Sequence, residues 1–277
     1  MTASSDSSQP AIEGRHVELP GVRLWYLDSR GGGEPIVFLH ANTGTSAIWA
    51  PQLSHFARLG FRVIAPDRRG WGRSFADRAT GVQPGSVAED LDALVAHLGI
   101  DSFHLVASAG GTFSALDYAA WQPARIRTLT AAASTGMIVD EEIATFISRI
   151  EVPRWREPSF AVYRELSPGF RGTNPERTAQ WIQMESTARQ PDGEVALVRT
   201  PNTLDKLRRI TAPVLALASG ADLLAPPAMM RLWASRLFDV EFDVIPEAGH
   251  ALAFEDPAAF NHVVEAFLRR KGALRAK

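Results

Sequence analysis

Acyl transfer by nucleophilic catalysis needs a hydroxyl or thiol to attack, a histidine to take its proton, and an acid to orient that histidine. This sequence offers an acid and a base at suitable places and leaves the nucleophile in question. Phe103-His104-Leu105-Val106-Ala107-Ser108-Ala109-Gly110-Gly111-Thr112 reads as a strand that turns sharply into a helix. Turns of this kind present a nucleophile in the pattern Gly-x-Ser-x-Gly, where larger flanking side chains would crowd a strained backbone. Two registers compete. Ala107-Ser108-Ala109-Gly110-Gly111 keeps both outer positions small and puts Ala109 at the apex. Taking Ser108 as the nucleophile puts β-branched Val106 in the most crowded part of the turn, so the first register is sterically better.

Asp222 follows the apolar run Pro213-Val214-Leu215-Ala216-Leu217-Ala218-Ser219-Gly220, and His250 follows Pro246-Glu247-Ala248-Gly249. Both therefore fall in loops just beyond the carboxyl ends of predicted strands, where open α/β sheets place catalytic groups. Taken singly, Asp222 is also an ordinary turn residue, and a lone loop histidine carries little weight. The order of turn, acid and histidine carries more, because it distinguishes one group of triad proteins from two others.

Positioning these groups requires a sheet. Residues 16–19 and 22–27, joined at Pro20-Gly21, predict an antiparallel hairpin at a sheet edge. Compact apolar runs at 35–40, 62–67, 103–108, 126–133, 214–219 and 241–246 alternate with amphipathic stretches at 46–59, 87–98, 227–237 and 257–270, and with a helix running from the turn to about Trp121. This alternation predicts an α/β fold with a mostly parallel, eight-stranded sheet covered by helices on both faces. The rhythm breaks over 136–204, where 141–150, 160–166 and 175–187 have helical periodicity and no strand stands out. The expected organisation is a disordered tail over 1–14, a core over 15–135 and 205–277, and a helical cap over 136–204.

With these motifs quoted, the chain resembles the α/β-hydrolase fold superfamily, in its serine-hydrolase type with a helical cap. The likeness runs from about His16 to Leu268 outside the insertion. It rests on Val37-Phe38-Leu39-His40 with Ala41-Asn42-Thr43-Gly44, on Asp67-Arg68-Arg69-Gly70-Trp71-Gly72-Arg73-Ser74, on the sharp turn, on Asp222, and on Gly249-His250 followed by Phe254-Glu255-Asp256-Pro257. The resemblance implies hydrolysis of a small ester, lactone, amide or activated carbon–carbon bond. An ester or lactone is favoured, because Ala41-Asn42-Thr43-Gly44 matches the Gly-rich loop of the carbon–carbon hydrolases only weakly, and Ala41 replaces the family's usual glycine. The resemblance also implies roles. His250 would take the nucleophile's proton and later activate water, Asp222 would fix the imidazole tautomer, and the backbone amides of Asn42 and Gly110 would hold the oxyanion.

The family alignment puts Ala109 at the nucleophile position, whereas aligning Ser108 there requires a deletion in the strand and an insertion in the helix. An alanine at that point removes the attacking atom, and the retained acid and base suggest that a hydroxyl has been taken from a working site. An aspartate nucleophile fits poorly, since Gly110 follows rather than a bulky residue such as Trp. Three readings stand: a serine hydrolase inactivated at position 109, an active hydrolase using Ser108, and a ligand-binding protein without turnover.

Over the sheet's carboxyl end the insertion would act as a lid and bring Trp155, Arg156 and Trp181 to the substrate, opposite Ala41 of the core. Its many arginines and aromatics would suit a carboxylated or aromatic substrate, although most of them read as solvated helix faces and tryptophans of the lid's own core. Composition narrows the rest. A chain of 277 residues, 45% of them hydrophobic, can bury one large core, and a net charge of −2 with mixed signs gives no footprint for nucleic acid. The absence of cysteine excludes disulfides, thiolate metal sites and a cysteine nucleophile. The histidines lack metal-site spacing, Gly31-Gly32-Gly33 precedes a strand rather than a helix, and Gly70-Trp71-Gly72 lacks the third glycine of a dinucleotide fingerprint. No cofactor or metal is expected. His40 and His104 read as hydrogen-bonded structural residues, and Trp49 and Trp71 as packing near the site. Met1 to Pro10 has neither the basic start nor the apolar stretch of a secretory signal, and no apolar run is long enough to cross a bilayer. A cytoplasmic monomer or homodimer acting on a small molecule is expected, with no nucleic-acid or membrane partner.

Overall fold

Every residue of Phe103–Ser108 and of Val214–Ser219 is buried, as befits strands covered by helices on both faces. The computed structural model describes residues 11–191 and 195–273. Its strands are β1 (Glu13–Leu19), β2 (Val22–Asp28), β3 (Pro35–Leu39), β4 (Arg62–Pro66), β5 (Phe75–Ala76), β6 (Phe103–Ser108), β7 (Ile126–Ala132), β8 (Val214–Ser219) and β9 (Val240–Ile245). They form one sheet in the order β1-β2-β4-β3-β6-β7-β8-β9, with β5 paired to β2 off that path. Pairings from β4 through β3 to β9 are parallel, and those of β2 with β1, β4 and β5 are antiparallel.

Eight strands were expected and nine are found, because β5 is two residues long and too short to leave an alternating pattern. The hairpin also starts earlier than expected. Glu13 and Gly14 pair with Asp28 and Leu27 inside the span read as a tail, and their polar character hid the strand. Residues 1–10 of that tail lie outside the described residues, as do 192–194 within the insertion.

The period of two along each strand sorts side chains onto two cores. Ile36, Phe38, Val106, Leu215 and Leu217 face the helices Ala50–Arg58 and Pro257–Arg270, contributing to a cluster with Phe56, Phe260 and Phe267. Val37, Leu39, Leu105, Val214 and Ala216 face the other way, toward Leu91, Leu116 and Trp233 of the helices Val87–His97, Gly110–Trp121 and Pro227–Ala234. The first of these is started by a capping box, in which the Ser86 hydroxyl accepts from Glu89 N and the Glu89 carboxylate accepts from Ser86 N.

Between β7 and β8 lie the helices Glu141–Ile150, Ala161–Glu165, Pro168–Thr173 and Pro175–Ala188. The third was not expected, since Pro168, Gly169 and Gly172 conceal its periodicity; the Ser167 side chain starts it by accepting from Phe170 N.

Where β6 turns into Gly110–Trp121, the backbone of Gly111 presses on β3. A Cβ there would lie 2.4 Å from Leu39 O and 2.7 Å from His40 O. Gly111→Ala is expected to cost about 1–3 kcal/mol by overpacking, because neither carbonyl can retreat without separating the turn from its neighbouring strand. The check is the denaturant midpoint at unchanged m-value.

Candidate active site

The turn after β6 is sharp because Ala109 takes φ 49°, ψ −117°, a region that L-residues other than glycine occupy at a cost of order 1–3 kcal/mol. Three hydrogen bonds hold it there. Ala109 N donates to Ala132 O at 2.9 Å, and Ala109 O accepts from the Ser134 hydroxyl at 2.8 Å and from Thr112 N at 3.1 Å. Ser108 continues the β6 ladder opposite Ala132 and is buried. The apex therefore belongs to Ala109. A Cβ on Gly110 would lie 2.3 Å from the Asn42 side-chain oxygen, so a larger residue there would have to displace that side chain. As the first residue of its helix, Gly110 has no intrahelical acceptor for its N–H.

Asp222 sits in the loop after β8. Its Oδ1 accepts from Leu224 N and Ala225 N, both at 2.8 Å, which presents Oδ2 to His250 Nδ1 at 2.8 Å. Burial by itself would favour neutral imidazole; the charges of Asp222 and Glu165, with the hydrogen bond to Asp222, outweigh it and raise the His250 pKa to about 9. A histidine whose pKa is raised on folding stabilises the folded state fully below its ordinary pKa of 6.5, and that contribution is lost as pH climbs through about 9. Stability should therefore fall between pH 6.5 and 9, and His250→Asn should flatten that slope; urea midpoints across the range provide the test.

The loop after β3 is fixed by its neighbours. His40 is buried and neutral: burial and then Arg68 hold its pKa well below 6.5, its Nε2 accepts from Arg68 N at 2.9 Å, and its Nδ1 lies 2.7 Å from Ala41 O. The carbonyl of Asn42 accepts from Trp71 Nε1 at 2.7 Å, and its side-chain oxygen accepts from Arg68 Nη2 at 2.8 Å, with that guanidinium 4.4 Å above the Trp71 ring. The segment 67–74 thus acts as scaffold for Ala41 and Asn42. His104 is likewise structural, lying 2.8 Å from the Thr128 hydroxyl and 3.1 Å from a Glu34 carboxylate oxygen.

A cavity of about 400 Å³ joins these parts. Ala41, Asn42, Ala109, Gly110 and His250 line it from the core, and Ile147, Ile150, Trp155 and Glu165 line it from the insertion. Among the described residues no cluster of side chains could hold a metal ion, and no helix is long and apolar enough to cross a membrane.

The profile of the alpha/beta hydrolase fold family matches residues 34–257. The chain belongs to this family. Among its relatives is RutD of Variovorax paradoxus, provisionally named a carbamate hydrolase and 28% identical over 252 residues, which are 87% of this chain and 94% of the relative. A 2-hydroxy-6-oxononadienedioate/2-hydroxy-6-oxononatrienedioate hydrolase of Burkholderia vietnamiensis is 25% identical over 264 residues, covering 90% of this chain and 92% of that protein. Among solved structures, Est816, described as an N-acyl homoserine lactone degrading enzyme, superposes with a TM-score of 0.73 at 27% identity, covering 91% of this chain and all of its own. The protein is an α/β-hydrolase-fold hydrolase.

Not every expected contact reaches the cavity of this hydrolase. Ala41 and Trp155 line it. Trp181 does not: it is 1% exposed and packs with Ala161, Leu166 and Phe170 in a small core belonging to the insertion. Its amphipathic helix has one apolar stripe, which the insertion uses for its own cohesion. Arg156 belongs to the turn Pro153–Arg156, and its side chain lies outside the described residues. Most of the insertion's arginines also lie away from the cavity. Arg154, Arg171 and Arg177 lie over Phe160, Tyr163 and the Phe170 and Phe254 rings, and Arg164 is the one described arginine lining the cavity. Cation–π stacking has absorbed them. Sequence reasoning missed Phe113, Leu224 and Glu165. Phe113 was findable, since it lies four residues after Ala109 on the same face of the helix; Glu165 left no local signal.

Proposed function

We propose that this cavity is built to hydrolyse a small ester or lactone by a serine-type triad mechanism, and that Ala109 occupies the position of its nucleophile, so that the attacking hydroxyl is missing from this chain. The observation that carries the reading is the convergence on one cavity of a strained apex residue and a histidine hydrogen-bonded at 2.8 Å to a buried aspartate. In that mechanism a hydroxyl at position 109 gives its proton to His250 Nε2 and attacks the carbonyl. Asp222 holds the Nδ1–H tautomer and stabilises the imidazolium. The amides of Gly110 and Asn42 stabilise the oxyanion, one donated from a helix N-terminus and the other from the scaffolded loop. His250 then activates water against the acyl-enzyme. The helices between β7 and β8 form the cap that shields this chemistry from bulk water.

Est816, a lactone-degrading enzyme at 27% identity, supports a cyclic or linear carboxylic ester, alongside the carbamate hydrolase and the oxo-dienedioate hydrolase at 28% and 25%. One triad serves all of these bonds, so the ester preference rests on the loop Ala41-Asn42-Thr43-Gly44. As written, the chain has a methyl group where the attack begins, which favours binding without turnover. Returning the hydroxyl with Ala109→Ser and assaying a p-nitrophenyl ester tests the whole scheme.

A further inference from the structure

The cap contributes one group that the triad mechanism leaves unused. Glu165, the last residue of the helix Ala161–Glu165, is 6% exposed, yet it lines both the main cavity and a narrow recess shared with Ser108 and His250. Its backbone carbonyl accepts from Ala251 N at 3.0 Å, which pins it beside the histidine loop. Its carboxylate is less well served. Among the described residues it accepts no hydrogen bond; Arg164 Nε is 3.7 Å away, and that guanidinium donates to Trp155 O. A buried carboxyl without donors is unfavourable, and burial accordingly raises its pKa, with His250 and Arg164 opposing. Beside Glu165 the cavity is also lined by Glu151, Arg164 and His250, while Phe113, Ile147, Ile150 and Leu224 supply apolar walls.

We infer that Glu165 is the specificity-determining group of this cavity, accepting a hydrogen bond from an ammonium group of a substrate whose carbon skeleton lies on the apolar wall. The inference rests on the cavity being the substrate site. It carries a consequence for the base. His250 is faced by Asp222, Glu165 and Arg164, and a cation seated on Glu165 opposes the charge that helps keep His250 protonated. Occupancy of the Glu165 site therefore releases a proton from His250 and readies it to act as base.

The test is calorimetric titration of the chain as it stands with three probes of similar length: n-pentylammonium, 1-pentanol and pentanoate. Pentylammonium is expected to bind at least tenfold more tightly than pentanoate, and to release protons, read as a dependence of the binding enthalpy on buffer ionisation. Glu165→Gln should weaken pentylammonium at least tenfold and leave pentanol within about twofold. Arg164→Gln should tighten pentylammonium several-fold, which keeps the idea testable if Glu165→Gln does not fold. A preference for pentanoate, unchanged ammonium affinity in folded Glu165→Gln, or no tightening in Arg164→Gln overturns it. The two readings fail separately. Ammonium selectivity with an inert Ala109→Ser enzyme would sink the hydrolysis scheme alone, and restored hydrolysis without ammonium selectivity would sink this inference alone.

Discussion

Ala109→Ser is expected to raise hydrolysis of p-nitrophenyl butyrate over the chain as written by about 10⁶-fold, the size of the loss when a triad nucleophile is removed from a working protease. The increase can be this large because nothing else has to be built. The apex backbone already stands at φ 49°, ψ −117°, held by Ala132, Ser134 and Thr112, and the Asp222–His250 pair is already formed at 2.8 Å. The substitution adds one oxygen at a position that lines the cavity. Two signals should accompany the rate: a burst of p-nitrophenolate, and an enzyme mass raised by one butyryl group under rapid quench. A chain that is already active as written, and loses that activity on Ser108→Ala, would transfer the nucleophile to Ser108. An inert Ala109→Ser protein would leave a binding pocket without turnover.

Asp222→Asn introduced beside Ala109→Ser is expected to lower kcat by about 10⁴-fold while leaving the fold in place. The geometry explains both halves. The amide oxygen of asparagine can still accept from Leu224 N and Ala225 N, as Asp222 Oδ1 does at 2.8 Å, so the loop keeps its shape. The NH₂ group must then face His250 Nδ1, which makes that nitrogen an acceptor and puts the proton on Nε2, where the nucleophile needs a base. The pH profile gives a second readout. With a His250 pKa of about 9, kcat/KM of Ala109→Ser should rise with pH toward a plateau with a midpoint near that value. Removing the Asp222 charge takes away the largest contribution raising it, so the midpoint should move down as the rate falls. A profile that stays put, or a rate within tenfold of the parent, would show that the aspartate plays no part in orienting the base.

The core was legible because its signals are local. Apolar runs marked β3, β4, β6, β7 and β8 to within two residues, since a strand buried on both faces needs continuous apolar character whatever its neighbours are; the half-exposed edge strand β9 was marked by alternation instead. The insertion was read less well. Its helices are short and amphipathic, and periodicity says which stripe of a helix is apolar but not whether that stripe meets a substrate or another helix. Trp181 and Trp155 look alike in sequence, yet one is buried in the cap's own core and the other lines the cavity.

Residue order along the chain determined that a sharp turn, an acid and a histidine would each follow a strand, because turn chemistry and strand alternation depend only on near neighbours. Small flanking residues already favoured Ala109 over Ser108 at the apex, and the tertiary structure holds it there through hydrogen bonds to Ala132 and Ser134, more than twenty residues away. Tertiary structure alone brought Glu165 beside His250, across 85 residues of chain: a buried charge is placed by what packs around it, and its immediate sequence carries no record of that.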